Sequence, residues 1–167
     1  MSSPERVFNV LFLCTGNSAR SILAESMLNA VGGPRFRAYS AGSRPAGRVN
    51  PFALEFLRRN GMPTAGLRSK GWDEFAREAA PHIDFVITVC DNAAGEVCPI
   101  WPGKPTTAHW SVPDPAGIEG SAADRRQAFA DVAHVLLNRI RAFASLRLDS
   151  LDQRALAYEL RAIGHVR

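Results

Sequence analysis

An almost uninterrupted apolar run near the start of the chain constrains the fold most strongly. The run covers residues 7–14 and consists largely of Val, Phe and Leu. Because apolar side chains point to both faces of such a strand, it predicts a central strand of a parallel sheet that is covered on both sides. Turn formers at residues 15–18 end the run, and helical spacing begins directly after them. The sequence therefore predicts a strand, a tight loop and a helix in direct succession.

Three further segments have the composition of strands, and helical patterns separate them. The strand-like segments are residues 35–41, 83–89 and 106–112. Strands that alternate with helices form a parallel sheet with helices on its faces. We therefore expect an α/β fold, in which ligands bind beyond the carboxyl ends of the strands.

Capping residues and apolar spacing mark the helices. Asn50 and Pro51 are a favourable N-cap and first helical residue, and Gly61 stands where a helix-ending glycine belongs. Ser150 and Gln153 form a capping box for a final helix. Apolar stripes are predicted on three helices, formed by Leu23, Met27 and Ala30, by Phe129, Val132, Leu136, Ile140 and Phe143, and by Leu156, Leu160 and Ile163.

Length and composition predict a single globular domain. The chain has 167 residues, of which 46% are hydrophobic and 22% charged, and it has neither repeats nor a long linker. We expect residues 1–167 to form one domain, with residues 149–167 as a C-terminal helical extension. An apolar run long enough for a membrane span and a signal peptide are both missing, and three cysteines do not make a secreted disulfide framework. A cytoplasmic protein that binds no membrane is therefore predicted.

The positive charge is concentrated in the first part of the chain. The net charge is +4, but residues 1–71 carry ten basic and three acidic side chains, and residues 72–122 carry two basic and eight acidic ones. Nucleic-acid binding would require a basic stripe with aromatic residues among the charges. The arginines are scattered and only 8% of residues are aromatic, so no nucleic-acid partner is expected. A small anionic substrate held by the N-terminal part fits the asymmetry better.

A cysteine and an arginine enclose the loop that follows the first strand. Cys14 ends the strand and Arg20 begins the helix, with five small or turn-forming residues between them. Backbone N–H groups in such a loop, together with a helix N-terminus, bind a tetrahedral oxyanion. The same field favours a thiolate at Cys14, which makes it a candidate nucleophile. Arg20 can hold two oxygens of the anion. The alternative is a small structural cysteine beside a surface arginine.

The whole loop is predicted to surround the anion. The Ser21 hydroxyl is expected to donate to the thiolate, and Asn17 is expected to hold a left-handed turn and to tie the loop to its neighbours. The predicted oxyanion-binding residues are Thr15, Gly16, Asn17, Ser18, Ala19, Arg20 and Ser21.

Residues 10–21, with the sequence VLFLCTGNSARS, resemble the phosphate loop of the low-molecular-weight protein tyrosine phosphatase superfamily. They resemble most closely the loop of the arsenate reductases built on that fold. The resemblance covers residues 7–145 and implies a four-stranded parallel sheet flanked by helices. It also implies a general acid, which here is Asp114. Its two flanking prolines restrict the backbone and so aim the carboxyl group at the loop. The alternative is an ordinary turn aspartate, and His109 is expected to be a packed or hydrogen-bonded residue.

The other two cysteines distinguish a reductase from a phosphatase. Cys90 ends a predicted strand and is therefore expected at the same sheet edge as Cys14. Cys98 follows a short segment of small residues that is able to rearrange. Two thiols near an oxyanion-binding thiolate suit a relay by thiol–disulfide exchange. Unreactive structural thiols are the alternative. No metal is predicted, because seven residues between the two cysteines do not match the usual zinc-ligand spacing.

The resemblance implies an arsenate reductase that contains no bound cofactor. Cys14 would attack arsenate, Asp114 would protonate the departing hydroxyl, Cys90 would attack the Cys14 sulfur to release arsenite, and Cys98 would resolve the disulfide. The implied partners are an arsenate or phosphate oxyanion and an external reductant. That reductant is thioredoxin, or a low-molecular-weight thiol with glutaredoxin. The sequence does not decide between these two reductants. Position 19 is alanine where many relatives have cysteine, and the interval between Cys90 and Cys98 is one residue longer than in the thioredoxin-coupled enzymes.

Two other functions use the same loop. The first is that of a tyrosine phosphatase, which hydrolyses a phosphomonoester through a phosphocysteine. Residues 116–118, directly after the Asp-Pro pair, lack the aromatic side chains that usually grip the phosphotyrosine ring. The second is a non-catalytic oxyanion-binding protein, which is disfavoured because a nucleophile, an anion clamp and an acid are all present.

Overall fold

Four parallel strands form the centre of the molecule. The computed structural model describes residues 6–91 and 101–167. The strands are β1 (Phe8–Cys14), β2 (Phe36–Gly42), β3 (Phe85–Thr88) and β4 (Thr106–His109), and they lie in the order β2-β1-β3-β4. All three strand pairs are parallel. The predicted four-stranded parallel sheet is confirmed.

Within the described residues, four α-helices flank this sheet. They are α1 (Arg20–Val31), α2 (Pro51–Arg59), α3 (Ala122–Ala144) and α4 (Gln153–Ile163). Helix α1 packs against β2 and α3, α2 packs against α3, and α4 packs against β4. None of these helices, and no other helix in the described part of the chain, is long and apolar enough to cross a bilayer.

Strand β1 is buried on both faces, as its sequence predicts. Val10 and Phe12 contribute to the larger core, which contains α1 and α3. Leu11 and Leu13 point to the opposite face and contribute to a smaller core around Phe75. Both cores exclude water from β1, which explains why nearly every residue of the strand is apolar.

The predicted capping of α2 and the stripe on α3 are confirmed. The Asn50 side chain accepts a hydrogen bond of 2.9 Å from the Phe52 N–H, and Gly61 has a φ of +67° just beyond the helix. The five apolar residues predicted for the stripe on α3 are all buried. Capping and apolar spacing therefore located both helices correctly.

Several boundaries differ from the prediction. The final helix begins after Asp152, whose side chain accepts from the Ala155 N–H at 2.8 Å, so the capping box of Ser150 and Gln153 is wrong. Ser150 instead donates to the Arg147 carbonyl within a preceding 3₁₀ turn. An aspartate two residues later is an equally good cap, and it lies next to the helix. On α1, Ala30 is exposed, because the helix turns this position away from the sheet.

Two strands are shorter than predicted. Strand β3 covers residues 85–88 rather than 83–89, and β4 covers residues 106–109 rather than 106–112. The chain leaves the regular ladder beyond His109, although the Val112 N–H still donates to the Val89 carbonyl at 3.2 Å. The segment that leaves the sheet carries Asp114, so the early end of β4 directs this residue towards the sheet edge that holds Cys14.

Candidate active site

The loop between β1 and α1 has its carbonyl groups turned outwards. The carbonyls of Thr15, Gly16 and Ser18 each accept a backbone hydrogen bond of 2.9 Å from residues 44–50. In a trans peptide the N–H of the next residue points opposite to the carbonyl. The N–H groups of residues 16, 17 and 19 therefore face the inside of the loop. Inward-facing N–H groups are the geometry that an anion-binding nest requires, and anion binding by this loop stays a prediction.

The end of β2 lies against the back of this loop. A Cβ atom on Gly42 would lie only 2.4 Å from the Thr15 carbonyl oxygen and 2.8 Å from that of Cys14. Both of these atoms belong to the backbone and cannot move aside as a flexible side chain could, so any larger residue would displace the loop. Position 42 therefore requires glycine, because the loop backbone passes so close to it.

Asn17 connects the loop to three separate segments. Its φ of 44° is left-handed, as predicted, and its side chain is fully buried. The amide nitrogen donates to the hydroxyls of Ser21 and Ser40 at 2.8 Å and 2.9 Å. The amide oxygen accepts from the Lys70 backbone N–H at 2.9 Å. These bonds fix the conformation of the loop before any anion binds.

The Cys14 sulfur lies at the base of the loop, buried and hydrogen-bonded. Its Sγ is 2.8 Å from the Ser21 Oγ. Because Asn17 already donates to that oxygen, the Ser21 hydroxyl hydrogen is free to point at the sulfur. The predicted contact between Ser21 and Cys14 is present, and the direction of donation stays a prediction.

Arg20 and Asp114 meet at the rim of the loop. The Arg20 guanidinium donates to the Val112 carbonyl at 3.1 Å and lies 3.8 Å from a carboxylate oxygen of Asp114. The other Asp114 oxygen accepts from the Ala116 N–H at 3.0 Å, and about half of the side chain is exposed. The structure thus brings Asp114 to Arg20, which ends the loop that starts at Cys14, although the two residues are far apart in sequence.

Cys90 lies beside the same loop. Its sulfur is 3.6 Å from the Thr15 hydroxyl oxygen, and its side chain is buried. The two strands that end at Cys14 and just before Cys90 are neighbours in the sheet, so the predicted shared edge is correct. Cys98 lies outside the described residues.

His109 connects the ends of β3 and β4 with the residue after Cys90. One ring nitrogen is 2.7 Å from the Thr88 hydroxyl, and the other is 2.8 Å from a carboxylate oxygen of Asp91. The hydrogen bond from His109, followed by one from Ser111, lowers the pKa of Asp91. His109 is hydrogen-bonded, as expected from the sequence, whereas the participation of Asp91 was missed.

A buried ion pair supports the loop from behind. The Glu25 carboxylate accepts from the Ser40 hydroxyl at 2.6 Å and lies 3.7 Å from the Lys70 ammonium. Burial raises the pKa of Glu25 and lowers that of Lys70, while the attraction within the pair opposes both shifts. Through Ser40, Asn17 and Ser21 this pair is connected to the Cys14 sulfur.

Neither member of this pair was identified from the sequence. Glu25 follows Ser21 by one helical turn, which places both on one face of α1, but Lys70 comes from a distant irregular segment. Within the described parts of the chain, no group of three or more His, Cys, Asp or Glu side chains is arranged to bind a metal.

Comparison with known proteins agrees with this geometry. The family model for low molecular weight phosphotyrosine protein phosphatase matches residues 9–155. The chain belongs to this family. The match includes the whole loop, both of its rim residues and the β-sheet.

Arsenate reductases are among the relatives that the chain resembles. An arsenate reductase of Halalkalibacterium halodurans is 36% identical over 135 residues, which are 81% of this chain and 94% of that protein. A thioredoxin-dependent arsenate reductase of Corynebacterium glutamicum has a solved structure with 28% identity and a TM-score of 0.62, over 89% of this chain and 66% of that one. A second solved arsenate reductase, described in a phosphate-binding state, has 26% identity and a TM-score of 0.62, over 81% and 98% of the two chains.

Proposed function

We propose that this protein is a thiol-dependent arsenate reductase. The observation that carries the proposal is the contact between the Cys90 sulfur and Thr15 of the anion loop, because it puts a second thiol beside the predicted nucleophile. A phosphatase has no use for a second thiol, whereas a reductase requires one. The similarity to curated arsenate reductases supports the same conclusion.

The first step forms a bond between sulfur and arsenic. Arsenate, a tetrahedral oxyanion, binds to the inward-facing N–H groups and to the Arg20 guanidinium. The Cys14 thiolate attacks arsenic while one hydroxyl leaves, and Asp114 donates the proton that turns this hydroxyl into water. Arsenic remains pentavalent in the product, a covalent ester with the Cys14 sulfur.

The second step reduces arsenic. The Cys90 thiolate attacks the Cys14 sulfur, and the electron pair of the sulfur–arsenic bond moves to arsenic, which leaves as trivalent arsenite. Two sulfurs are oxidised to the Cys14–Cys90 disulfide in the same step. Cys98 then attacks Cys90, which restores Cys14 and leaves a Cys90–Cys98 disulfide.

An external dithiol or thiol closes the cycle by reducing the last disulfide. The thioredoxin dependence of the Corynebacterium enzyme supports thioredoxin in this role. A low-molecular-weight thiol with glutaredoxin is the other candidate, and parallel assays with the two systems will identify the reductant.

Phosphotyrosine hydrolysis is the second candidate function, and the family itself favours it. The same Cys14, Arg20 and Asp114 would serve, with water as the final acceptor. Against it, the turn after Asp114 carries Ala116, Gly117 and Ile118, so it offers no aromatic ring to stack on a phosphotyrosine.

Serine variants of the second and third cysteines separate the two functions. Cys90→Ser should release no arsenite above background, because nothing attacks the Cys14 ester. Cys98→Ser should release about one arsenite per molecule and then stop as a Cys14–Cys90 disulfide, which mass spectrometry detects. Both variants should hydrolyse an aryl phosphate as fast as the unaltered protein does.

The unaltered protein with each reductant is the matched control. If both variants turn over arsenate at the full rate, the internal relay is wrong. If the unaltered protein reduces no arsenate but hydrolyses aryl phosphates, the phosphatase function is correct.

A further inference from the structure

The C-terminal helix contacts the segment that carries Asp114. Trp110, four residues before Asp114, is fully buried, and its indole N–H donates to the Leu160 carbonyl at 2.9 Å. Leu160 belongs to the last turn of α4, and its carbonyl also accepts a longer bond of 3.3 Å from the Gly164 N–H. The indole bond therefore gives the buried Trp110 N–H a partner and attaches the segment to the end of α4.

A buried arginine makes a second connection between the same two regions. Arg139, in the middle of α3, is only 6% exposed. Its guanidinium donates to the Val166 carbonyl at 2.8 Å and to the Ser111 carbonyl at 3.0 Å. Val166 lies just beyond α4, and Ser111 lies three residues before Asp114. Through these two bonds, a single side chain holds the backbone at Ser111 and the backbone at Val166 at a fixed separation.

Burying the charged Arg139 guanidinium costs free energy. Within residues 6–91 and 101–167 this side chain takes part in no ion pair, and its charge is compensated by the two backbone carbonyls to which it donates. Burial lowers the pKa of its guanidinium, and the nearby charge of Arg167 acts in the same direction. The two directed bonds are what an apolar residue at this position would lack.

A close approach by Gly164 gives independent support. A Cβ atom at this position would lie 3.0 Å from the His109 carbonyl oxygen and 3.2 Å from the Trp110 ring. The backbone just after α4 therefore rests directly on the start of the segment. Three different contacts, at residues 109, 110 and 111, thus join the start of the Asp114 segment to the C-terminal region.

The other side of the segment faces the anion loop. The Val112 carbonyl accepts from Arg20, and Asp114 lies 3.8 Å from the same guanidinium. We propose that Arg139 and α4 position the general acid: they hold residues 110–114 from behind and so determine where the Asp114 carboxyl group stands. The proposal rests on the proposed function in one respect, namely that Asp114 is the acid.

The C-terminal partners in this arrangement, Leu160, Gly164 and Val166, lie outside the part of the chain that matches the family. The family match ends at residue 155, and α4 runs from Gln153 to Ile163. The segment that carries Asp114, residues 110–114, is thus held in part by residues that the family match does not include.

The test is a double-mutant cycle between Arg139→Met and Asp114→Asn. We measure the rate of arsenite release in a single turnover with excess enzyme, so that no external reductant is needed. Arg139→Met should lower this rate by about 10- to 100-fold, the usual cost of a small displacement of a reacting group. Inhibition by inorganic phosphate should stay unchanged, because the anion loop is intact.

The cycle distinguishes positioning from general damage. In the Asp114→Asn background, Arg139→Met should have no further effect, because the group that it positions is gone. Arg141→Met, which removes an exposed arginine from the same helix, is the matched control and should behave as the unaltered protein does. Trp110→Phe, which removes the indole N–H but keeps an aromatic ring, although a smaller one, in the core, should reproduce the effect in smaller degree if Arg139→Met does not fold.

Each other outcome overturns the proposal. A full single-turnover rate in folded Arg139→Met and Trp110→Phe would show that the support is not needed. If Arg139→Met also lowers the single-turnover rate in the Asp114→Asn background, the role of Arg139 is purely structural. If Asp114→Asn itself is as fast as the unaltered protein, the acid assignment fails with it, whereas a slow Asp114→Asn beside fast Arg139→Met removes only the positioning role.

Discussion

The two sides of the candidate site are built differently. On the side of β1, the anion loop is buried, its carbonyls are bonded outwards, and Asn17 ties it to Ser21, Ser40 and Lys70. On the side of β3 and β4, Asp114 is half-exposed and Asp91 is largely exposed. One side is fixed by internal bonds, and the other is open to solvent.

The difference corresponds to the two tasks of the proposed reaction. Binding a tetrahedral anion benefits from donors that are already in place, because no free energy is then lost in arranging them. Proton and electron transfer need groups that exchange with water or with a second protein. We therefore expect substitutions in the loop to impair anion binding or the nucleophile, and substitutions on the open side to impair proton or electron transfer without weakening anion binding.

The largest effect is expected for Cys14→Ser. A serine hydroxyl keeps the contact with Ser21 but is not a thiolate, so turnover of arsenate and of aryl phosphate should fall by several orders of magnitude. Circular dichroism and phosphate binding should match those of the unaltered protein, because the loop keeps its bonds. Appreciable activity in this variant would remove Cys14 from the role of nucleophile.

The next largest effect is expected for Asp114→Asn, on the open side. The amide keeps an oxygen for the Ala116 N–H but donates no acidic proton, so the first covalent step should slow by about 10²–10⁴-fold. The dissociation constant for phosphate should remain the same, as measured by calorimetry. Glu119→Gln, an exposed carboxylate five residues later, is the control. Weaker phosphate binding in Asp114→Asn would break the proposed division between the two sides.

Arg20→Lys should affect binding more than chemistry. A lysine keeps the charge but cannot hold two oxygens in one plane, and it loses the bond to the Val112 carbonyl. The dissociation constant for phosphate should rise by about tenfold or more, the value of one or two charge-assisted hydrogen bonds. Arg48→Lys, on the exposed neighbouring loop, should leave it unchanged. Unaltered affinity in Arg20→Lys would contradict the anion clamp.

The smallest effect is expected for Asp91→Asn, and it depends on pH. Because the hydrogen bond from His109 lowers the pKa of Asp91 in the folded state, this carboxylate adds stability above its ordinary pKa of 3.8. The contribution is lost as the pH falls through the lower pKa of the folded state. Urea unfolding should show the variant slightly less stable at pH 6 and equal to the unaltered protein at the lowest pH. A difference that grows on acidification would be inconsistent with the contact.

Much of the fold was predictable because short-range patterns determine it. The apolar run of β1, the cap at Asn50 and the stripe on α3 each involve residues that are neighbours in sequence. The errors fall where two local signals compete, as at Ser150 and Asp152, which both precede the last helix and can both cap it. Strand ends were also misjudged, because apolar residues continue past the point where β4 leaves the ladder.

The site divides in the same way. The loop from Cys14 to Ser21 is contiguous, so its residue types, together with the strand before it and the helix after it, were enough to predict its backbone conformation. Lys70 and Arg139 were missed because a charged side chain at an internal position is normally read as exposed. Only the tertiary structure shows that these two cations are buried and that each holds backbone or carboxylate groups close to the catalytic edge.

The burial of Lys70 also affects how the protein can be handled in experiments. Lysine occurs at only two positions, 70 and 104, in a chain otherwise rich in arginine. Lys70 is 8% exposed, whereas Lys104 is exposed and precedes β4 at the end of the sheet opposite to Cys14. Of the two lysine side chains, a lysine-directed dye or surface linker will therefore attach at Lys104, at the end of the sheet away from the anion loop. Labelling of Lys70 will then begin only when the chain unfolds, so the same reagent reports folding and immobilises the enzyme in one orientation.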